Sequence, residues 1–181
     1  MTGWKAWPLA LASWLLLATG PAAAVADQGV TLDQRRLAAL AELPALRGEA
    51  LDPADLAGKA VAVTFFASWC PPCRDEFRQL TRAKDAFGGR MEVVAVNIFE
   101  SFGNNRGGER LESFLDELAP PFYLLGDGER VGPLFGNVDR IPTVYVFGPD
   151  GQVAMAFIHA RGATKRHVTF EELEAVIRTL P

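Results

Sequence analysis

Phe65-Phe66-Ala67-Ser68-Trp69-Cys70-Pro71-Pro72-Cys73 joins a continuous apolar run to an amphipathic one, and the two cysteines of the chain stand at the join. Upstream, Ala60 to Ala67 is uniformly apolar but for Thr64 and rich in β-branched and aromatic residues, as a strand buried on both faces would be. Downstream, Phe77, Leu80, Ala83 and Phe87 share one face of a helix predicted from Pro71 to Phe87, with Pro71 at the first helical position and Gly88-Gly89 as the stop. Cysteines three apart at a helix start have Cβ atoms about 5–6 Å apart, and a small adjustment reaches the roughly 3.8 Å of a disulfide. Such a pair opens and closes without refolding. It closes almost no loop, which argues against a purely stabilising bridge. A metal pair would need two further ligands, for which His159 and His167 are the available histidines.

Helix polarity distinguishes the thiols. Cys70 lies at the helix mouth, where the dipole favours a thiolate, and is expected to be the exposed nucleophile; Cys73, one turn in, is expected to be the shielded resolving thiol. Pro71 and Pro72 remove two backbone N–H groups, and Asp75 and Glu76 add negative charge in the same turn, opposed by Arg74. A poorly stabilised thiolate makes a more reducing couple, which favours a reductant over an oxidant.

The elements on either side extend the pattern. Leu32 to Leu43 reads as a short amphipathic helix ended by Pro44, and residues 46–59 as a loop. Met91 to Phe99 is a second buried strand, 101–108 a polar loop, Glu109 to Ala119 a helix, and Phe122 to Leu125 a short strand. Thr143 to Phe147 and Gln152 to His159 form a hairpin across Asp150-Gly151, and Thr169 with Glu172 opens a last helix as a capping box. A helix followed by βαβαββα implies an α/β fold with a mixed sheet flanked by helices.

The 181 residues suit one domain. With 22 acids against 18 bases, a nucleic-acid surface is not expected. Residues 6–26 carry no charge, contain an apolar stretch around Leu9 to Ala18 and end in Ala24-Val25-Ala26. Residues 1–26 therefore read as a signal peptide, with an uncleaved anchor as the alternative, and the domain as 27–181. The expected location is periplasmic or otherwise extracytoplasmic.

The segment from Phe65 to Cys73, together with Ile141-Pro142-Thr143 downstream, resembles the active site and cis-proline loop of thioredoxin-like proteins. Export, the Cys-x-x-Cys-x-x-Glu pattern ending at Glu76, and an extra segment near residues 99–125 make the chain most similar to exported TlpA/ResA-type thiol-disulfide oxidoreductases. That resemblance implies a thioredoxin-like fold with an N-terminal extension and a central insertion. It implies catalysis by Cys70 and Cys73, a tuning role for Glu76, a cis Pro142, and partner contact through Trp69, Pro71, Pro72, Ile141 and Thr143. A generic X-Pro bond is cis in only about 5–6% of cases, so the cis expectation rests on the resemblance. One departure is Thr64, which stands where cytosolic thioredoxins keep a buried aspartate and cannot relay protons in that way. Glu76 reads equally as a charge complementing the helix N-terminus.

The function implied is reduction of disulfides in partner proteins, of the cytochrome c maturation or copper-site assembly type. A membrane thiol donor would supply the electrons, with no cofactor or resident metal, and the protein is expected to act as a monomer. An exported oxidase or isomerase, a copper-binding thioredoxin-like carrier and a redox-inert docking module are the alternatives. Glu100 is placed by its position near the site, and Arg161, Lys165, Arg166 and His167 read as a solvated basic loop.

Overall fold

A computed structural model describes Met1 and residues 29–102 and 108–181. The signal-peptide reading of residues 1–26 and most of the polar loop at 101–108 lie outside the described residues. No helix among those described is long and apolar enough to cross a membrane.

The two continuous apolar runs become β2 (Ala60–Phe66) and β3 (Met91–Asn97), parallel neighbours with every residue buried. Parallel pairing needs a crossover, supplied by α2 (Pro71–Phe87). The insertion contributes α3 (Gly108–Leu118) and β4 (Tyr123–Leu125), the latter parallel to β3. On the other side of β2, β5 (Thr143–Phe147) pairs antiparallel and turns into β6 (Val153–Ile158). The last helix, α4 (Phe170–Thr179), opens on the expected capping box of Thr169 and Glu172.

The N-terminal helix α1 (Gln34–Ala41) is capped by Asp33. The expected loop at 46–59 is corrected: β1 (Ala45–Arg47) and a 3-10 turn at Pro53–Leu56 occupy this region. β1 pairs antiparallel with β4, completing a six-stranded mixed sheet in the order β1-β4-β3-β2-β5-β6.

The core falls into two buried apolar clusters. One includes Phe65, Phe66, Phe77 and Phe114, and the other Val144, Val146, Leu173 and Ile177. The insertion is built into the first cluster, since Phe114 packs on Phe66 and Phe77 at ring-centroid distances of 5.5 and 5.1 Å. The N-terminal extension is tied to the hairpin by Leu32 N–H donating to the Gly151 carbonyl at 2.8 Å. A Cβ at Gly151 would meet the Leu32 carbonyl oxygen at 2.9 Å, and its φ is +74°, so glycine is required on both counts.

Candidate active site

The cysteines sit where β2 gives way to α2, at the C-terminal end of a central strand. Cys70 is the N-cap of α2 and is disulfide-bonded to Cys73. The Cys70 sulfur accepts the Cys73 N–H at 3.2 Å. Pro71 and Pro72, between them, have no N–H to offer. Neither sulfur-bearing residue is exposed in this oxidised state: Cys70 is 4% and Cys73 1% accessible. The expected order of accessibility is kept, but the expectation that Cys70 stands exposed is corrected, because it belongs to the same buried apolar cluster as Phe66 and Phe77.

The charges around the pair also differ from the sequence expectation. Arg74 is turned away, paired with Glu117 of α3 and lying over the Phe114 ring at 5.0 Å. Asp75 is engaged by Arg78 at 2.9 Å. Glu76 is not a surface charge at the helix mouth but is completely buried. It follows Cys73 by one turn on the same face of α2. Its Oε1 accepts the Thr64 hydroxyl of β2 at 2.5 Å, while Oε2 has no hydrogen-bond partner. Burial pushes the carboxyl up to about 7, with the Thr64 hydroxyl, the Val168 amide and the Lys165 charge pulling in the opposite direction. Thr64, discounted as a relay, therefore serves as the hydrogen-bond donor to this interior carboxyl.

Pro142 lies in a cis peptide bond with Ile141, as the resemblance implied. The Pro142 carbonyl accepts the His159 N–H at 3.1 Å, and Thr143, buried, donates its hydroxyl to the Arg140 carbonyl at 2.9 Å. The partner-contact residues expected from sequence divide between two openings. Trp69 and Ile141 line a cleft of about 870 Å³, while Pro71 and Pro72 line a second of about 330 Å³. Thr143 lines neither.

Sequence reasoning placed Glu100 near the site without a role. Its carboxylate accepts Ser68 N–H at 2.9 Å, Asn97 Nδ2 at 2.7 Å and the Ser68 hydroxyl. Trp69 Nε1 donates to the Phe99 carbonyl at 2.8 Å. Ser68 and Trp69 thus bind the turn before Cys70 to the segment that follows β3. Ser68 and Asn97 were not singled out from sequence; their signal is polar character next to otherwise apolar strands. Among the described residues no group of three or more His, Cys, Asp or Glu side chains could hold a metal ion.

Comparison with known proteins agrees with this geometry. The AhpC/TSA family pattern matches residues 35–156. Over 106 residues the chain is 38% identical to the thiol:disulfide interchange protein CycY of Rhizobium leguminosarum bv. viciae, covering 58% of this chain and 52% of that protein. It is 29% identical over 107 residues to the thiol-disulfide oxidoreductase ResA of Bacillus subtilis strain 168, covering 59% and 56% respectively. The chain thus spans about half the length of each of these relatives. In fold it matches a secreted Mycobacterium tuberculosis disulfide oxidoreductase homologous to Escherichia coli DsbE, with a TM-score of 0.61 and 20% identity, over 82% of this chain and 100% of that one. The thioredoxin-like, ResA-type resemblance read from the cysteine segment is borne out.

Proposed function

We propose that this chain, which belongs to the AhpC/TSA family of thioredoxin-like proteins, is an extracytoplasmic thiol-disulfide oxidoreductase that reduces disulfides in partner proteins. The relatives named as interchange proteins and oxidoreductases support the reaction class. The observation that carries the direction is the poverty of support for a Cys70 thiolate. Apart from the N-terminus of α2, which it caps, the sulfur receives one backbone amide, from Cys73, the two intervening residues are prolines, and Arg74 is committed to Glu117. A thiolate so weakly held is a poor leaving group, so the disulfide resists reduction and the dithiol is a good electron donor.

In the reduced protein, the Cys70 thiolate attacks one sulfur of the partner disulfide. That S–S bond breaks, a mixed disulfide forms, and the released partner thiolate takes up a proton. Cys73 loses its proton and attacks Cys70 Sγ, releasing the partner as a dithiol and leaving the Cys70–Cys73 disulfide. Two electrons have passed to the partner. Glu76, one turn beyond Cys73 and buried with it, is the group suited to receive the Cys73 proton, since its carboxyl titrates near neutrality. A membrane thiol donor returns the protein to the dithiol state. Partners of the cytochrome c maturation or copper-site assembly type fit this role, and the N-terminal 26 residues support export.

The test is equilibration of the full chain against defined thiol–disulfide mixtures, with the oxidised fraction read by intact mass. The expected potential lies well below the roughly −120 mV of strong oxidants of the DsbA kind. A value at or above that level would replace the reductant with the oxidase reading.

A further inference from the structure

The two clefts beside the disulfide are joined by one loop. His159 and Arg161 edge the larger cleft, and Lys165, Arg166 and His167 edge the smaller, so residues 159–167 run from one to the other. Together the clefts are lined by four cations, Arg140, Arg161, Lys165 and Arg166, against the two carboxylates Asp75 and Asp139. The chain as a whole has the opposite balance, with a net charge of −4. The face around the disulfide is therefore basic on an acidic protein.

Two of these cations are already occupied. Arg140 pairs with Asp139 at 3.2 Å and Lys165 with Glu172 at 2.5 Å. Arg161 and Arg166 are exposed and make no ion pair or hydrogen bond with any described residue. One free arginine thus stands at each cleft. In the larger cleft, apolar surface adjoins Arg161. Phe102 is 71% exposed, and its ring rests on Trp69 at 5.4 Å. Apart from Met1 it is the exposed large hydrophobic side chain among the described residues. An exposed aromatic beside a reacting centre, with one free arginine in its own cleft and another in the neighbouring cleft, has the form of a recognition surface: an apolar anchor point with charges that select what approaches.

We propose that the partner presents its target disulfide on an acidic segment, with a large apolar side chain near the reacting cysteine packing on Trp69 and Phe102 and carboxylates of the same segment pairing with Arg161 and Arg166. This rests on the thiol–disulfide reading above and names the chemistry of its substrate.

The test uses the full chain in its reduced form and three synthetic peptides that share one Cys-x-x-Cys disulfide. The first is flanked by Phe and Glu, the second by Phe and Lys, the third by Ala and Glu. Hydroxyethyl disulfide, small and uncharged, reports the thiol chemistry by itself. At low salt the Phe/Glu peptide should be reduced about tenfold faster than the Phe/Lys peptide, and added salt should shrink that ratio. Arg161→Gln with Arg166→Gln should bring the ratio toward one, and Phe102→Ala should remove the advantage of Phe/Glu over Ala/Glu. Equal rates for the acidic and basic peptides would leave the loop as a solvated face and overturn the proposal. So would a preference for acid that survives the double arginine variant. If hydroxyethyl disulfide itself is not reduced, it is the thiol–disulfide reading that fails, whatever the peptides do.

Discussion

The Thr64 hydroxyl meets Glu76 Oε1 at 2.5 Å inside the protein, joining the central strand β2 to the cysteine-bearing helix α2. It is the side-chain hydrogen bond of a carboxyl that the Val168 amide also stabilises and whose other oxygen, Oε2, has no hydrogen-bond partner. A carboxylic acid tolerates that setting better than a carboxylate, since an unpaired buried charge costs more than an unpaired buried dipole. The position sets both the acid–base behaviour of the site and part of the pH dependence of the fold.

Glu76 has its carboxyl raised from 4.5 to about 7. Between those values the native protein keeps a proton that the unfolded chain has released, so stability falls as pH rises through this window and levels off above it. At about 1.4 kcal/mol per unit, the full loss is about 3 kcal/mol. Glu76→Gln should flatten this component. The variant should be more stable than the parent at pH 8 by up to about 3 kcal/mol and should lose that advantage near pH 4.5. Urea midpoints of the oxidised protein across the window would measure it, and parallel curves for parent and variant would contradict the assignment.

Thr64→Val removes the donor that holds the carboxyl down and substitutes a methyl of similar size. The Glu76 titration should then move above 7. Infrared absorbance of the protonated carboxyl, followed with pH and identified by its loss in Glu76→Gln, would locate the midpoint. A midpoint that stays put or falls would show that the hydroxyl does not stabilise the charged form.

The elements that were legible in the sequence are those whose cause is local. β2 and β3 are announced by unbroken apolar runs, the hairpin by Asp150-Gly151 and α4 by Thr169 and Glu172, each a signal spanning fewer than ten residues. The strand β1 was missed because three residues carry no period, and its partner β4 lies far along the chain at Leu124 and Leu125. The same holds within the site. The cysteines, Trp69 and the Ile141-Pro142 loop were readable, whereas Thr64–Glu76 and Ser68–Glu100 exist only once strands and helices are packed. Burial of Glu76 did have a trace: it falls between Cys73 and Leu80 on the apolar stripe of α2. Reading it as a first-turn charge gave weight to its residue type over its position.

Glu100 holds three donors, two of them from Ser68, next to Trp69. Ser68 and Asn97 are each only 6% accessible, so Glu100→Ala would leave the Ser68 N–H and hydroxyl unpaired and Asn97 Nδ2 with only its longer bond to the Phe66 carbonyl at 3.4 Å. The expected cost is about 1–3 kcal/mol, seen as a lower urea midpoint. Trp69 is the only tryptophan beyond residue 14, so in a background with Trp4, Trp7 and Trp14 replaced by Phe its emission reports this turn directly and should shift toward that of a solvated indole. Unchanged stability and emission would mean that water takes over the carboxylate's role without loss.

Cys73→Ser should turn the protein into a trap. Cys70, at the N-cap, would still attack a partner disulfide, but no second thiol would remain to displace the partner from the mixed disulfide. The adduct should persist through non-reducing purification from cells and be released by dithiothreitol. If the protein is a reductant, the captured proteins should contain paired cysteines of their own, as haem-attachment and copper-binding segments do. Cys70→Ser is the matching control. Cys73 lies one turn inside α2 at 1% accessibility, and as the sole thiol it should capture little. Equal capture by the two variants would reverse or erase the division between nucleophile and resolver. Capture by neither, in cells where the parent carries its disulfide, would remove partner reduction as the role of the pair.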